Sequence, residues 1–371
     1  MDPGLSNALA IDTDRMLGAL QELVSTESFS SDRDGVTRCA EAVEALGHDL
    51  LGERGQIHGY EHPVVRWTFG APPSRVMLLG HFDTVWPMGT LARWPFSVSD
   101  GVATGPGVFD MKAGVVQGLF ALASLDDLHG VSVLLTSDEE IGAPGSRELI
   151  EQVGREANAV LVLEPSEQGA LKLARKGQAT YRIDAHGKAA HSGLNPWDGA
   201  NALTALSQSL LDAARMADGD TTVTPTLAQA GSAMNTVPAH AHAFVDVRFF
   251  TGAEQERVRS EMHALTSSVD GVRLDVECPH ERGPLEREAS TDLFARAQRL
   301  AEELGLEPLD GVAVGGASDG NFTAALGTPT LDGLGPVGAG AHAEGEHVIV
   351  EKMSERAALV AALVRDLLRE G

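Results

Sequence analysis

Leu79-Gly80-His81-Phe82-Asp83-Thr84-Val85 follows directly on the apolar run Arg75-Val76-Met77-Leu78-Leu79-Gly80. The run reads as a buried strand that delivers His81 to its C-terminal end, where open α/β sheets place their chemistry. His-x-Asp suits a metal site, because an imidazole binds through one nitrogen while a carboxylate orients the other. Two more apolar runs end in the same way. Val131–Leu135 runs into Thr136-Ser137-Asp138-Glu139-Glu140, and Ala159–Leu163 ends in Glu164-Pro165. Between them, Gly105-Pro106-Gly107-Val108-Phe109-Asp110 leads into a mostly apolar helix, Val115–Ser124, so Asp110 sits in a Gly-rich turn before a helix. Strands alternating with helical patterns predict a mixed, mostly parallel sheet flanked by helices: an α/β fold.

Working outward, residues 12–28 and Gly35–Leu51 carry apolar side chains at helical spacing, with Asp12 or Thr13 as the cap of the first. Val64–Phe69 reads as a further strand. After Arg175-Lys176-Gly177 the texture changes. Gln178–His186, Thr222–Gln229, Ala241–Phe250 and Gly271–Cys278 read as strands, and Trp197–Met216 and Gly252–Val269 as helices. That β-α-β-β-α-β order is the ferredoxin-like α+β pattern. It predicts two domains: a catalytic domain in two parts, 1–177 and 285–371, and an inserted domain, 178–284. Ser290–Leu304 and Lys352–Arg369 return to helix, Val312–Gly316 and Thr328–Leu331 to short strands, and a Gly-rich loop carries His342.

Bulk composition narrows the partners. In 371 residues, 28 Lys and Arg face 53 Asp and Glu, for a net charge of −25. Nucleic acid and anionic membranes, which recruit positive charge, are excluded as natural partners. Two distant cysteines, Cys39 and Cys278, make neither a disulfide framework nor a Cys-rich zinc site. The N-terminus lacks the basic and apolar stretches of a signal peptide, and no run reaches the ~18 apolar residues of a membrane span. The expectation is a cytoplasmic protein.

His81, Asp110, Glu140, Glu164 and His342 all fall at strand or helix ends. Two imidazoles and three carboxylates suit two zinc-like ions in a nitrogen/oxygen site, with one carboxylate bridging. Asp110, in its tight turn, is the natural bridge. Glu139 and Glu140 are adjacent and point in different directions, so Glu140 can bind metal while Glu139 serves as general base and later as acid to the leaving nitrogen. Asp83 stands behind His81 as its orienting carboxylate.

The strings Gly80-His81-Phe82-Asp83-Thr84-Val85, Gly105-Pro106-Gly107-Val108-Phe109-Asp110-Met111-Lys112-Ala113-Gly114, Thr136-Ser137-Asp138-Glu139-Glu140-Ile141-Gly142, Leu163-Glu164-Pro165 and Gly340-Ala341-His342-Ala343 resemble the zinc peptidase/deacylase family of glutamate carboxypeptidases. That family also includes acetylornithine deacetylase, succinyl-diaminopimelate desuccinylase and aminoacylase. The resemblance spans nearly the whole chain and looks strongest toward the folate-cleaving members. It implies His81 and Glu164 on one Zn2+, Glu140 and His342 on the other (Co2+ or Mn2+ as possible substitutes), Asp110 bridging, Glu139 as base, and a cis peptide after Asp110. His342 through Val348 matches the family pattern His-Ala-x-x-Glu-x-Val, so Glu346 and His347 become supporting loop residues.

The resemblance also implies that the inserted domain is a lid that pairs two subunits into a homodimer. His191 would then reach the partner's active site as an oxyanion donor. Asn235 and Arg248 match substrate-binding positions, with Arg248 holding an α-carboxylate bidentately. Ser318, in Gly315-Gly316-Ala317-Ser318-Asp319-Gly320, matches a loop at the substrate pocket. Arg175-Lys176 departs from the small, uncharged residues of the folate-cleaving members. The function implied is hydrolysis of the amide of an N-acyl or peptidyl amino acid bearing a free carboxylate, as in a glutamate carboxypeptidase. The alternatives are a deacylase of the acetylornithine or succinyl-diaminopimelate type and a non-catalytic binder on the same fold.

Overall fold

A computed structural model of the protein describes residues 11–369. The chain divides into two compact units. The first takes in the chain up to Ala174, Glu286–Val314 and Ser318 onward; the second is Arg175–Leu285 with Gly315–Ala317. Among the described residues no helix is long and apolar enough to cross a membrane.

The first unit is built on a six-stranded sheet. Its labelled strands are β1 (Gln56–His58), β2 (Val64–Phe69), β3 (Val76–His81), β4 (Val131–Thr136) and β5 (Val160–Val162). The order is β1-β2-β4-β3-β5, with Thr330–Leu331 at the far edge. β3 runs parallel to β4 and β5, and Thr330–Leu331 parallel to β5, while β1 and β2 are antiparallel. All six residues of β3 are buried, as are all six of β4. Strands buried on both faces read as unbroken apolar runs, which is why the sequence shows no alternation here. Each fully buried Leu, Val or Met contributes about 1.5–3 kcal/mol.

Helices α1 (Thr13–Ser25) and α2 (Arg33–Leu51) share the apolar core of this sheet, each started by an aspartate cap. Asp12 accepts from the amides of Asp14 and Arg15, and Asp32 from that of Gly35. Helix α3 (Ala113–Ala123) is buried almost all round. Its Gly114 lets it lie against the end of β5: a Cβ there would sit 2.1 Å from the Leu163 carbonyl oxygen. The peptide between Asp110 and Met111 is cis.

A small four-stranded sheet was not anticipated from the sequence. Gly338–Ala339 pairs with His347–Ile349, which pairs with Val102–Thr104, which pairs with Ser97–Ser99. Its strands are two or three residues long, too short to show a period. It joins the segment before the Gly105–Asp110 turn to the hairpin that carries His342.

The second unit has a four-stranded antiparallel sheet of β6 (Gly177–His186), β7 (Thr222–Ala230), β8 (His240–Phe249) and β9 (Arg273–Arg282), in the order β7-β8-β6-β9. Two helices, Ala202–Ala214 and Gly252–His263, pack with it around a separate apolar core. Both are shorter than the periodicity predicts. Asn201 caps the first by accepting from the Thr204 amide, leaving Trp197 in a separate short turn, 84% exposed. Beyond His263, the Ser267 hydroxyl bonds the backbone of Val269 and competes with helix continuation. Cys39 is buried and Cys278 half-buried, and both are free thiols.

Candidate metal centre

His81 ends β3, and its side chain is 2% exposed. Its Nε2 lies 3.3 Å from Asp110 Oδ1 and 3.4 Å from Glu164 Oε1. His342 lies 3.4 Å from the other oxygen of Asp110, Oδ2, and 3.0 Å from Glu140 Oε2. The five side chains thus form two triads, His81–Asp110–Glu164 and Asp110–Glu140–His342, whose donor atoms lie within 4.8 Å of one another in each. Asp110 belongs to both and offers a different oxygen to each.

The donor set fits cations. A tetrahedral ion with bonds of about 2.0–2.1 Å has donor–donor edges of roughly 3.3 Å, the spacing found here. Asp110 Oδ1 is buried without a hydrogen-bond partner. A buried acceptor left unpaired costs about 1–3 kcal/mol, so a ligand there would offset a real penalty. Three carboxylates packed onto two imidazoles also leave the site short of positive charge. The carboxylates of Asp110 and Glu140 push the His342 pKa up to about 10. Burial works against a charged His81, but the facing carboxylates of Asp110, Asp83 and Glu164 outweigh it and raise its pKa. Burial raises the Glu140 carboxyl, only partly offset by His342.

Asp83 is fully buried behind His81. Its Oδ1 lies 3.3 Å from His81 Nδ1 and accepts from the Glu139 amide at 3.3 Å. Its Oδ2 accepts from the Ser30 hydroxyl at 2.7 Å and from the Glu140 amide at 3.3 Å. One carboxylate therefore orients the imidazole and holds the turn that carries both glutamates. Asp138, also buried, clamps the other side of that turn by accepting from the amides of Gly145 and Ser146. Glu139 is half-buried, next to Glu140 in this turn.

Two supporting residues carry more than the sequence suggests. Glu346 is fully buried and accepts from the amides of Gly107, Phe109 and Asp110 and from the Trp86 indole. Burial pushes its pKa up to about 7 despite those four donors. Lys112 is 1% exposed and donates to the Leu23 and Thr26 carbonyls, tying the Asp110 turn to the end of α1. The signal for Lys112 was a charged residue inside a run otherwise reading as core.

Of the remaining expected residues, Ser318 belongs to the first unit and Arg248, His191 and Asn235 to the second. Ser318 is fully buried and donates to Asp332 at 2.6 Å. This bond fixes the loop that carries it. In the second unit, Arg248 forms a two-point ion pair with Asp246 on the same strand. His191 is exposed, and its Nδ1 accepts from the amides of Gly193 and Leu194. Asn235 is exposed and uses its carbonyl to hold the Ser192 amide. Beside Asp110, a cavity of about 250 Å³ is lined by Pro165–Gln168, Gly338–Ala341 and Lys172, the one cation of its lining.

An α/β sheet that converges imidazoles and carboxylates on a shared aspartate defines a candidate metal-dependent hydrolase. Comparison with known proteins agrees. The model of Peptidase family M20/M25/M40 matches residues 77–366, and the chain belongs to that family. It is a metal-dependent hydrolytic enzyme by that membership. Carboxypeptidase G2 of Pseudomonas sp. (strain RS-16) is 30% identical over 99% of this chain and 92% of its own. A succinyl-diaminopimelate desuccinylase of Halorhodospira halophila is 30% identical over 78% of this chain and 82% of its own. The crystal structure of aminopeptidase PepT from Bacillus cereus superposes with a TM-score of 0.75 at 22% identity, covering 96% of this chain and 99% of that one, and shows the shared fold.

Proposed function

We propose that the protein is a two-zinc hydrolase that cleaves the amide of an N-acyl or peptidyl amino acid with a free carboxylate, glutamate being the leading candidate for the released residue. The observation that carries the reading is the pair of triads sharing Asp110, with Glu139 half-buried next to Glu140 in the same turn. When bound, two such cations lower the pKa of water and polarise a carbonyl. Asp83 holds His81 in the tautomer that presents Nε2. Glu139 removes the proton from the attacking water and delivers it to the leaving nitrogen. In the same unit, the cavity beside Asp110 offers room for a side group, and Lys172 supplies a positive charge for a carboxylate. The likeness to carboxypeptidase G2 supports this substrate class. Asn235 and Arg248 contact the substrate, Arg248 exchanging Asp246 for its carboxylate, and Ser318 shapes the pocket loop from beneath. His191 serves as oxyanion donor.

The inserted unit, residues 178–284 by our reading, acts as lid and dimerisation domain. Its support lies in β7, the edge of its sheet, where eight of nine residues are exposed, and in exposed Leu203, Leu211 and Leu227. An open edge with apolar neighbours is a pairing surface.

The test is zinc content together with amino-acid release from a panel of acylated and peptidyl amino acids. Two zinc ions per chain with release from carboxylate-bearing substrates is the expected result. A protein that binds zinc but hydrolyses none of them would end the proposal. The second reading, a deacylase of succinyl-diaminopimelate or acetylornithine, is favoured by the desuccinylase relative. Preferential turnover of N-succinyl over peptidyl substrates would select it. Arg248→Ala is expected to raise KM for carboxylate-bearing substrates with little change in kcat.

A further inference from the structure

The two triads are anchored differently. His81 and Glu164 stand at the ends of buried strands and are almost inaccessible. His342 stands on the loop between Gly338–Ala339 and His347–Ile349, its side chain 52% exposed and its backbone left-handed at φ 61°. Left-handed backbone at a residue other than glycine persists where surrounding contacts fix it. Within the loop only two backbone bonds are found, Ala343 to Gly340 and Glu346 to Ala343.

Glu346 supplies the buried tie that reaches out of the loop, beside an exposed ion pair of Glu344 with Arg93. It lies four residues after His342. Its Oε1 accepts from the Phe109 amide at 2.8 Å and from the Asp110 amide at 2.9 Å. Its Oε2 accepts from the Gly107 amide at 3.1 Å and the Trp86 indole at 2.9 Å. A carboxylate has about four lone-pair positions, and all are used. A buried anion is expensive and is retained where its bonds accomplish something an apolar side chain cannot. Here it fastens the loop of one ligand, His342, directly to the backbone amide of another, Asp110.

Resting on the reading of the triads as cation positions, we propose that Glu346 is a positioning residue chiefly for the second cation. It fixes His342 relative to Asp110 and thereby sets the affinity of the Asp110–Glu140–His342 position, whereas the His81–Asp110–Glu164 position shares only Asp110 with it and takes His81 and Glu164 from the sheet. The expected loss is about 10- to 100-fold in affinity, the range typical of residues that orient metal ligands.

Calorimetric zinc titration of the full chain tests this, with bound zinc counted by elemental analysis and Co2+ absorption as a second probe. The wild type is expected to bind two ions. Glu346→Ala is expected to weaken one ion at least tenfold and the other markedly less. Glu346→Gln keeps the shape but turns an amide NH2 toward donors, and falls between. Trp86→Phe removes one of the four bonds and has the smallest effect. Excess zinc restores turnover to Glu346→Gln, which a purely structural defect would not allow. If Glu346→Ala fails to fold, the Gln and Phe variants still decide the matter. Equal weakening of both ions, or of neither, overturns the proposal. A wild type that binds no zinc overturns instead the reading of the triads on which it rests.

Discussion

The two halves of the centre achieve the same donor spacing by opposite means. The His81–Glu164 half takes its ligands from the ends of adjacent parallel strands, β3 and β5, whose register is set by the core. The Glu140–His342 half takes them from a turn and a loop, and polar clamps replace the core: Asp83 and Asp138 on the turn, Glu346 on the loop. A site borne by strands inherits rigidity from apolar burial. A site borne by loops depends on buried carboxylates that accept backbone amides. The two halves should therefore fail differently when damaged.

The sharpest contrast separates chemistry from ligation. Glu139→Gln leaves both triads and all three clamps in place, so it should retain bound zinc while kcat falls by about 10²–10⁴, the range of general acid–base catalysis. Wild-type turnover in that variant would show that Glu139 carries no proton. Next in size is Asp83→Ala, which touches both halves, because Asp83 orients His81 and holds the Glu139 and Glu140 amides. Activity and zinc affinity should each drop by about 10- to 100-fold. An effect confined to one ion would assign Asp83 to one half only.

Gly114→Ala probes the strand-borne half through packing. The added carbon would lie 2.1 Å from the Leu163 carbonyl oxygen, so α3 must move away from the strand end that bears Glu164. A stability loss of about 1–3 kcal/mol is expected from overpacking, read as a shift in the denaturant midpoint, with zinc affinity lowered at the His81 position. The smallest effect belongs to Asp12→Ala. It removes the cap of α1, far from the centre, and should cost about 1 kcal/mol without changing zinc binding. A change in zinc affinity there would show that the sheet transmits more strain than packing suggests.

The strand-borne half was legible in the sequence because burial on both faces writes an unbroken apolar run, and the residue that ends the run stands out. His81 and Glu164 declared themselves in this way, as did, in the other half, the Glu139-Glu140 pair that follows Val131–Leu135. The loop that carries His342 was legible only as a pattern of residue types. The hairpin around His342 uses strands too short to show alternation, and its pairing with Val102–Thr104 links residues more than 230 positions apart. Glu346 could be placed in the loop, but its bonds to Gly107, Phe109 and Asp110 follow from that long-range pairing. Local pattern also overran the two helices of the second unit, since apolar spacing continues past the points where Asn201 and Ser267 redirect the backbone. Ser318 was legible as part of a tight Gly-Gly-Ala-Ser turn, but its bond to Asp332, 14 positions on, was not.

The central claim is that one carboxylate serves both cation positions. Zinc bound per chain, measured side by side in Asp110→Ala and His342→Ala, tests it most directly. The account predicts that His342→Ala keeps one ion and Asp110→Ala keeps none at comparable affinity. Two ions retained by Asp110→Ala would contradict it.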